Sequence, residues 1–132
     1  MGRVTVVIAL VALFSTAVLA EEPETREAPD ISAAELHARR ESEAAPLVID
    51  VRTPEEYASG HIPGAVNIPF DQVADRISEL DSPHGVALYC MVGPRARKGE
   101  SALLDAGYET VFHLDGGLAA WQAAGLPVEG VR

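Results

Sequence analysis

Cys90, Gly93 and Arg95, in the stretch Val86 to Ala96 (VALYCMVGPRA), are the residues whose types and spacing best suit covalent chemistry. Cys90 is the only cysteine in the 132-residue chain. It ends an apolar run, Val86-Ala87-Leu88-Tyr89, and is followed by a turn-forming Gly93-Pro94. A helix-like segment then runs from Arg95 to Ala106 and stops at Gly107. This order predicts a buried strand, a tight loop and a helix start, with a thiol at the strand's carboxyl end. Parallel α/β sheets bind ligands at that end. Helix N-termini there supply inward N–H groups and a partial positive charge, which favour the nucleophilic thiolate. A free cysteine serves equally as a small buried core residue, so the rest of the chain must decide. A single cysteine excludes an intramolecular disulfide, a C-x-x-C redox pair and a multi-cysteine zinc site.

The length suits one domain. The start, MGRVTVVIALVALFSTAVLAEEP, has the pattern of a secretory signal. Arg3 is the positive region, an apolar core begins at Val4, and the small residues Val18 and Ala20 precede the acidic Glu21-Glu22. Residues 1–20 are therefore expected to be a cleaved signal peptide, which places the mature protein in the periplasm or outside the cell. An uncleaved N-terminal membrane anchor is the alternative. Cleavage would remove one arginine and no acid, taking the net charge from −10 to −11. So acidic a body argues against nucleic acid and anionic membrane surfaces as partners. Against that background Arg95, Arg97 and Lys98 form a positive spot just after Cys90, which suggests a small anionic substrate.

Residues 21–29 are acidic and contain two prolines, and read as a flexible leader to a single domain over 30–132. Ser32 and Glu35 form a capping-box pattern for a helix to about Arg40. Leu47 to Val51 is a continuous apolar strand interrupted by Asp50, as in a sheet covered on both faces. Thr53, Pro54 and Glu56 mark a second helix start, ended by Gly60. A short strand is expected over Ala65–Pro69. Phe70, Val73, Ala74, Ile77 and Leu80 follow a helical period. The Val86 strand and Arg95 helix come next, then a strand at Thr110–Leu114, a Gly116-Gly117 turn and a last helix, Leu118 to Ala124. Alternating strands and helices predict an α/β domain with a mainly parallel sheet.

Three ordered segments resemble the rhodanese (sulfurtransferase) family. Leu47 to Pro69, LVIDVRTPEEYASGHIPGAVNIP, is similar to the family's D-V-R…G-H-I-P-G-A…N-I-P signature. Tyr89 to Ala96, YCMVGPRA, fits its C-x-x-G-x-R loop. Leu103 to Val128, LLDAGYETVFHLDGGLAAWQAAGLPV, is similar to its C-terminal G-[YF]…G-G…W…P pattern. The resemblance implies a three-layer fold with a five-stranded parallel sheet between helices, of the single-domain exported type. It also implies a sulfurtransferase that works through a persulfide on Cys90, formed from thiosulfate or a similar donor and emptied onto cyanide or a thiol. The backbone of Met91, Val92, Gly93, Pro94, Arg95 and Ala96 would surround the charged sulfur. Arg95 would either meet the donor's oxyanion or brace the loop against a carboxylate, with Asp50 the expected partner; Asp50 and Arg52 read as supporting residues. Two positions depart from the pattern. Pro94 lacks an N–H, and Ala96 stands where the family usually has serine.

Other readings are narrower. A thiol phosphatase uses a cysteine and an arginine separated by five residues, whereas here four intervene and Ala96 occupies the longer spacing. A rhodanese-like module that only binds a partner would have no need of Cys90. A Cys–His hydrolase needs a base, yet His37, His61, His84 and His113 are scattered without a pairing signal. Tyr57, Phe70, Phe112 and Trp121 read as core. No metal-ligand cluster or phosphate loop is present in the sequence, so no cofactor or metal is implied. The expected partners are a small anionic donor and a thiophilic acceptor, met by a monomer.

Overall fold

Short, mostly apolar strand segments alternate with helical segments, and in the computed structural model this pattern closes into one parallel sheet. The structure describes Gly2, residues 11–13, Ser15 and residues 26–130. Nearly all of the expected signal segment therefore lies outside the described residues. Among those described, no helix is long and apolar enough to cross a membrane.

The strands are β1 (Asp30–Ile31), β2 (Leu47–Asp50), β3 (Val66–Asn67), β4 (Val86–Tyr89) and β5 (Val111–Leu114), in the order β1-β5-β4-β2-β3. Every pairing is parallel. The helices are α1 (Ala33–Arg40), α2 (Pro54–Ser59), α3 (Pro94–Asp105) and α4 (Gly117–Ala123). The α/β architecture is therefore the expected one, a five-stranded parallel sheet between two helical layers.

The alternation of side chains along each strand divides the core. Ile49, Val51, Val86, Leu88, Cys90 and Val111 pack under α3, against Ala96 and Leu103. Val48, Ala87, Tyr89 and Leu114 face the other way, onto Leu36 of α1 and Leu118 and Trp121 of α4. Both faces of the central strands are buried, which explains why those strands read as unbroken apolar runs.

Several local expectations need adjustment. The Ser32 box is half formed: the hydroxyl accepts from Glu35 N–H, while the Glu35 carboxylate turns to Arg39. At α2 both halves of the box, Thr53 and Glu56, are made. The Phe70–Leu80 segment is two 3-10 turns, Phe70–Gln72 and Ala74–Glu79. Its apolar pairs 70/73, 74/77 and 77/80 are three apart, a spacing that a three-residue turn also stacks on one side. Ala28 and Pro29, read as the end of the leader, are anchored. Ala28 is buried, and Pro29 O accepts from His113 N–H. β1 then pairs with β5 as a two-residue edge that no local pattern announced.

Candidate active site

Cys90 follows β4 directly, and the side-chain alternation turns it to the α3 face. The residue is 1% exposed. Its Sγ accepts a hydrogen bond from Gly93 N–H at 3.0 Å. The chain makes this reversal because Gly93 has φ of 151°, a conformation that favours glycine. Gly93 is the N-cap of α3 and Pro94 its first residue. Pro94 thus occupies the position where a missing N–H disturbs a helix least. The 12-residue α3 directs its amino end at the loop. Among the described residues, the N–H groups of Met91, Val92, Arg95 and Ala96 enter no backbone hydrogen bond, as expected for the orphan donors of a helix start. The loop can therefore solvate a sulfur anion with backbone donors, Gly93 first.

A second helix start holds the loop from the other side. Leu118 N–H donates to Cys90 O at 2.9 Å and Ala119 N–H to Met91 O at 3.0 Å. Such an approach demands glycine at 117: a Cβ there would lie 2.5 Å from Cys90 O and 2.6 Å from Met91 O. The Gly116-Gly117 pair, legible in the sequence only as a turn, anchors the cysteine loop.

Arg95 is a brace, but its partner is not Asp50. Its Nη1 and Nη2 donate to Glu56 Oε1 and Oε2 at 2.6 and 3.0 Å, a paired, fork-like contact. The arginine holds the Glu56 carboxyl well below its usual range, at about 2, with the Thr53 backbone amide and hydroxyl adding to the effect. Asp50 is already saturated. It accepts from Arg52 N–H, from the Arg52 guanidinium at 2.7 Å and from Tyr89 O–H at 2.8 Å. Arg52 also donates to Gly60 O, and Tyr89 Oη accepts from Ile62 N–H. This buried group ties the end of β2 to β4 and to the loop after α2, beside the cysteine strand. Desolvation in that setting drives the Tyr89 phenol far above its ordinary range, so Tyr89 remains a neutral donor.

The positive spot expected from Arg97 and Lys98 is dispersed. Arg97 donates to Ala28 O and pairs with Asp30 at 2.8 Å, and Lys98 Nζ lies 5.3 Å from the centre of the Phe70 ring. Met91 and Val92 are the exposed apolar tip of the loop. Among the histidines, His113 comes to the loop: a side chain on Gly93 would lie 3.5 Å from its Nε2. Nothing in the local sequence around His113, Glu100 or Glu56 signals these contacts. Glu56 carried a signal only as a helix cap, and the same carboxylate serves both tasks. Among the described residues no group of three or more acidic, histidine or cysteine side chains could hold a metal.

A thiol at the carboxyl end of a central parallel strand, held between two helix starts, defines a cysteine-loop α/β domain. Residues 32–124 match the rhodanese-like domain, and the chain belongs to that family. It is 39% identical over 82 residues to a sulfurtransferase of Allochromatium vinosum, covering 62% of this chain and 77% of that one. It is 45% identical over 101 residues to an HTH-type transcriptional regulator of Mycobacterium tuberculosis, covering 75% of this chain but only 44% of the regulator. The solution structure of a rhodanese-like domain from Anabaena superposes with a TM-score of 0.71 at 37% identity, covering 78% of this chain and 80% of that one.

Proposed function

We propose that the protein is an exported sulfurtransferase that carries sulfane sulfur as a persulfide on Cys90. The observation that supports this most directly is the Gly93 N–H donated to Cys90 Sγ at 3.0 Å, in a loop with further amides that enter no backbone hydrogen bond among the described residues. In the first step the thiolate attacks the outer sulfur of thiosulfate. A Cys90 S–S bond forms, the donor's S–S bond breaks, and sulfite leaves with the electron pair. In the second, cyanide or a thiolate attacks the terminal sulfur, and Cys90 departs as thiolate. Backbone donors offset the negative charge in both states without reorganising. Arg95, committed to Glu56, contributes loop geometry and a partly offset positive field.

Incubation with thiosulfate followed by intact-mass measurement tests the reading. One added sulfur atom is expected, removable by cyanide as thiocyanate and absent in Cys90→Ser. Failure to take up sulfur from thiosulfate or from 3-mercaptopyruvate favours a partner-binding module, for which the exposed Met91 and Val92 would be the natural contact. Export predicts a mature N-terminus at Glu21 in the secreted fraction. A membrane-bound species retaining residues 1–20 contradicts it.

A further inference from the structure

His113 and Glu100 lie outside the chemistry described so far, yet they pack directly behind the cysteine loop. His113 sits opposite Leu88 in the β4–β5 register, so its side chain shares the α3 face with Cys90. Its Nδ1 is 2.8 and 2.9 Å from the two Glu100 oxygens. Both side chains are almost fully buried, at 6% and 2% exposed. The other edge of the ring meets Gly93: the Cβ position of that residue would be 3.5 Å from Nε2 and 3.6 Å from Cε1. Gly93 is the residue that donates to Cys90 Sγ.

We propose that His113 and Glu100 are a positioning pair for the sulfur-carrying loop, sharing one proton behind Gly93 and so keeping the floor beneath the Cys90 sulfur uncharged. The functional meaning of this pair rests on the sulfurtransferase reading. With one proton shared, the pair is neutral overall whether that proton resides on the carboxyl or the ring, and Nε2–H is a donor on the Gly93 side. Without it, a carboxylate is buried next to a neutral ring, at a desolvation cost that demands a counter-charge. Arg97 of α3 is the nearest cation, 3.9 Å away, but it is already paired with Asp30 of β1. The remaining charged groups that influence the pair are acidic: Glu27 ahead of β1, and Asp115 just after β5. Burial accordingly raises the Glu100 carboxyl to about 8 and lowers the His113 imidazole.

The linkage has a definite sign. Burial raises the Glu100 carboxyl well above its usual range, so below the pair's midpoint the shared proton is held and the loop faces a neutral pair. Above that, a buried negative charge behind Gly93 opposes both the Cys90 thiolate and its persulfide. Glu100→Gln preserves the shape and removes the ionisation.

Two measurements decide the matter. In the wild-type protein, carboxyl-13C NMR of Glu100 and imidazole-15N NMR of His113 are expected to show the pair giving up its shared proton well above the usual carboxylate range, with the Gly93 amide shifting at the same midpoint. Loss of the pair's proton from both groups in the ordinary carboxylate range, or a Gly93 amide indifferent to it, overturns the proposal. Iodoacetamide alkylation of Cys90 is the second. Glu100→Gln should match wild type at about pH 6.5, and its alkylation profile should rise at lower pH than that of wild type, the two rates converging where both thiols are fully ionised. Superimposable profiles also overturn it. Neither readout needs sulfur transfer, so failure to take up sulfur removes the enzymatic reading and leaves this test intact. If Glu100→Gln does not fold, the wild-type titration decides alone.

Discussion

Arg95 and Glu56, 39 residues apart, face each other through two hydrogen bonds of 2.6 and 3.0 Å. The contact joins the first turn of α3, which carries the cysteine loop, to the first turn of α2. The Glu56 carboxylate also completes the α2 capping box. One acid thus ties loop position to the start of a helix.

This contact predicts similar losses for three substitutions. Arg95→Lys keeps a charge but cannot reproduce the fork, and should lower the rate of sulfur uptake nearly as much as Arg95→Ala, about tenfold. Glu56→Gln should produce a similar loss with little change in melting temperature, since the pair is about one-third exposed and worth about 1 kcal/mol or less. If Arg95→Lys retains full activity while Arg95→Ala is inactive, Arg95 acts as a charge on the donor and not as a brace.

The same pair sets an acid limit. The folded Glu56 carboxyl is lowered to about 2 from 4.5, so its stabilisation is complete above the unfolded value of about 4.5 and is lost as pH falls toward 2. Thermal unfolding of wild type and Glu56→Gln between pH 6 and pH 1.5 should show a small difference at the upper end that narrows as pH falls through about 2. A constant difference would mean that the carboxylate's charge contributes nothing.

Tyr89→Phe removes one donor to Asp50 and the acceptor for Ile62 N–H, both at buried positions. Chemical denaturation should register a loss of about 1–3 kcal/mol. Sulfur uptake at 25 °C should persist in the folded fraction, because Tyr89 faces away from α3. An inactive but fully stable variant would instead place the phenol in the reaction.

Gly117→Ala should act mainly on the loop. Its Cβ would lie 2.5 Å from Cys90 O, and the backbone must move to accept it. Sulfur uptake is expected to fall at least about tenfold, as displaced donors cost catalysis steeply. The fold, followed by circular dichroism, should remain. Wild-type activity would show that the Leu118 and Ala119 amides do not position the cysteine.

Local pattern alone carries the alternation of strand and helix, the parallel character of the sheet, the α2 cap and the Cys90-to-Ala96 loop. These are local properties, set by side-chain period, capping residues and turn glycines within a few positions. Which distant residues meet depends on packing. Asp50 looked like the partner of Arg95 because both stand at the same sheet edge, but Arg52 and Tyr89 occupy its oxygens and the α3 start faces α2 instead. His113 carried no signal of pairing, since Glu100 lies 13 residues away on another element. Strand order brings β5 beside β4 and α3 over both, and only that packing puts His113 against Gly93 and Glu100 on the other edge of its ring. A two-residue edge such as β1 likewise has too little pattern of its own; backbone pairing with β5 makes it a strand.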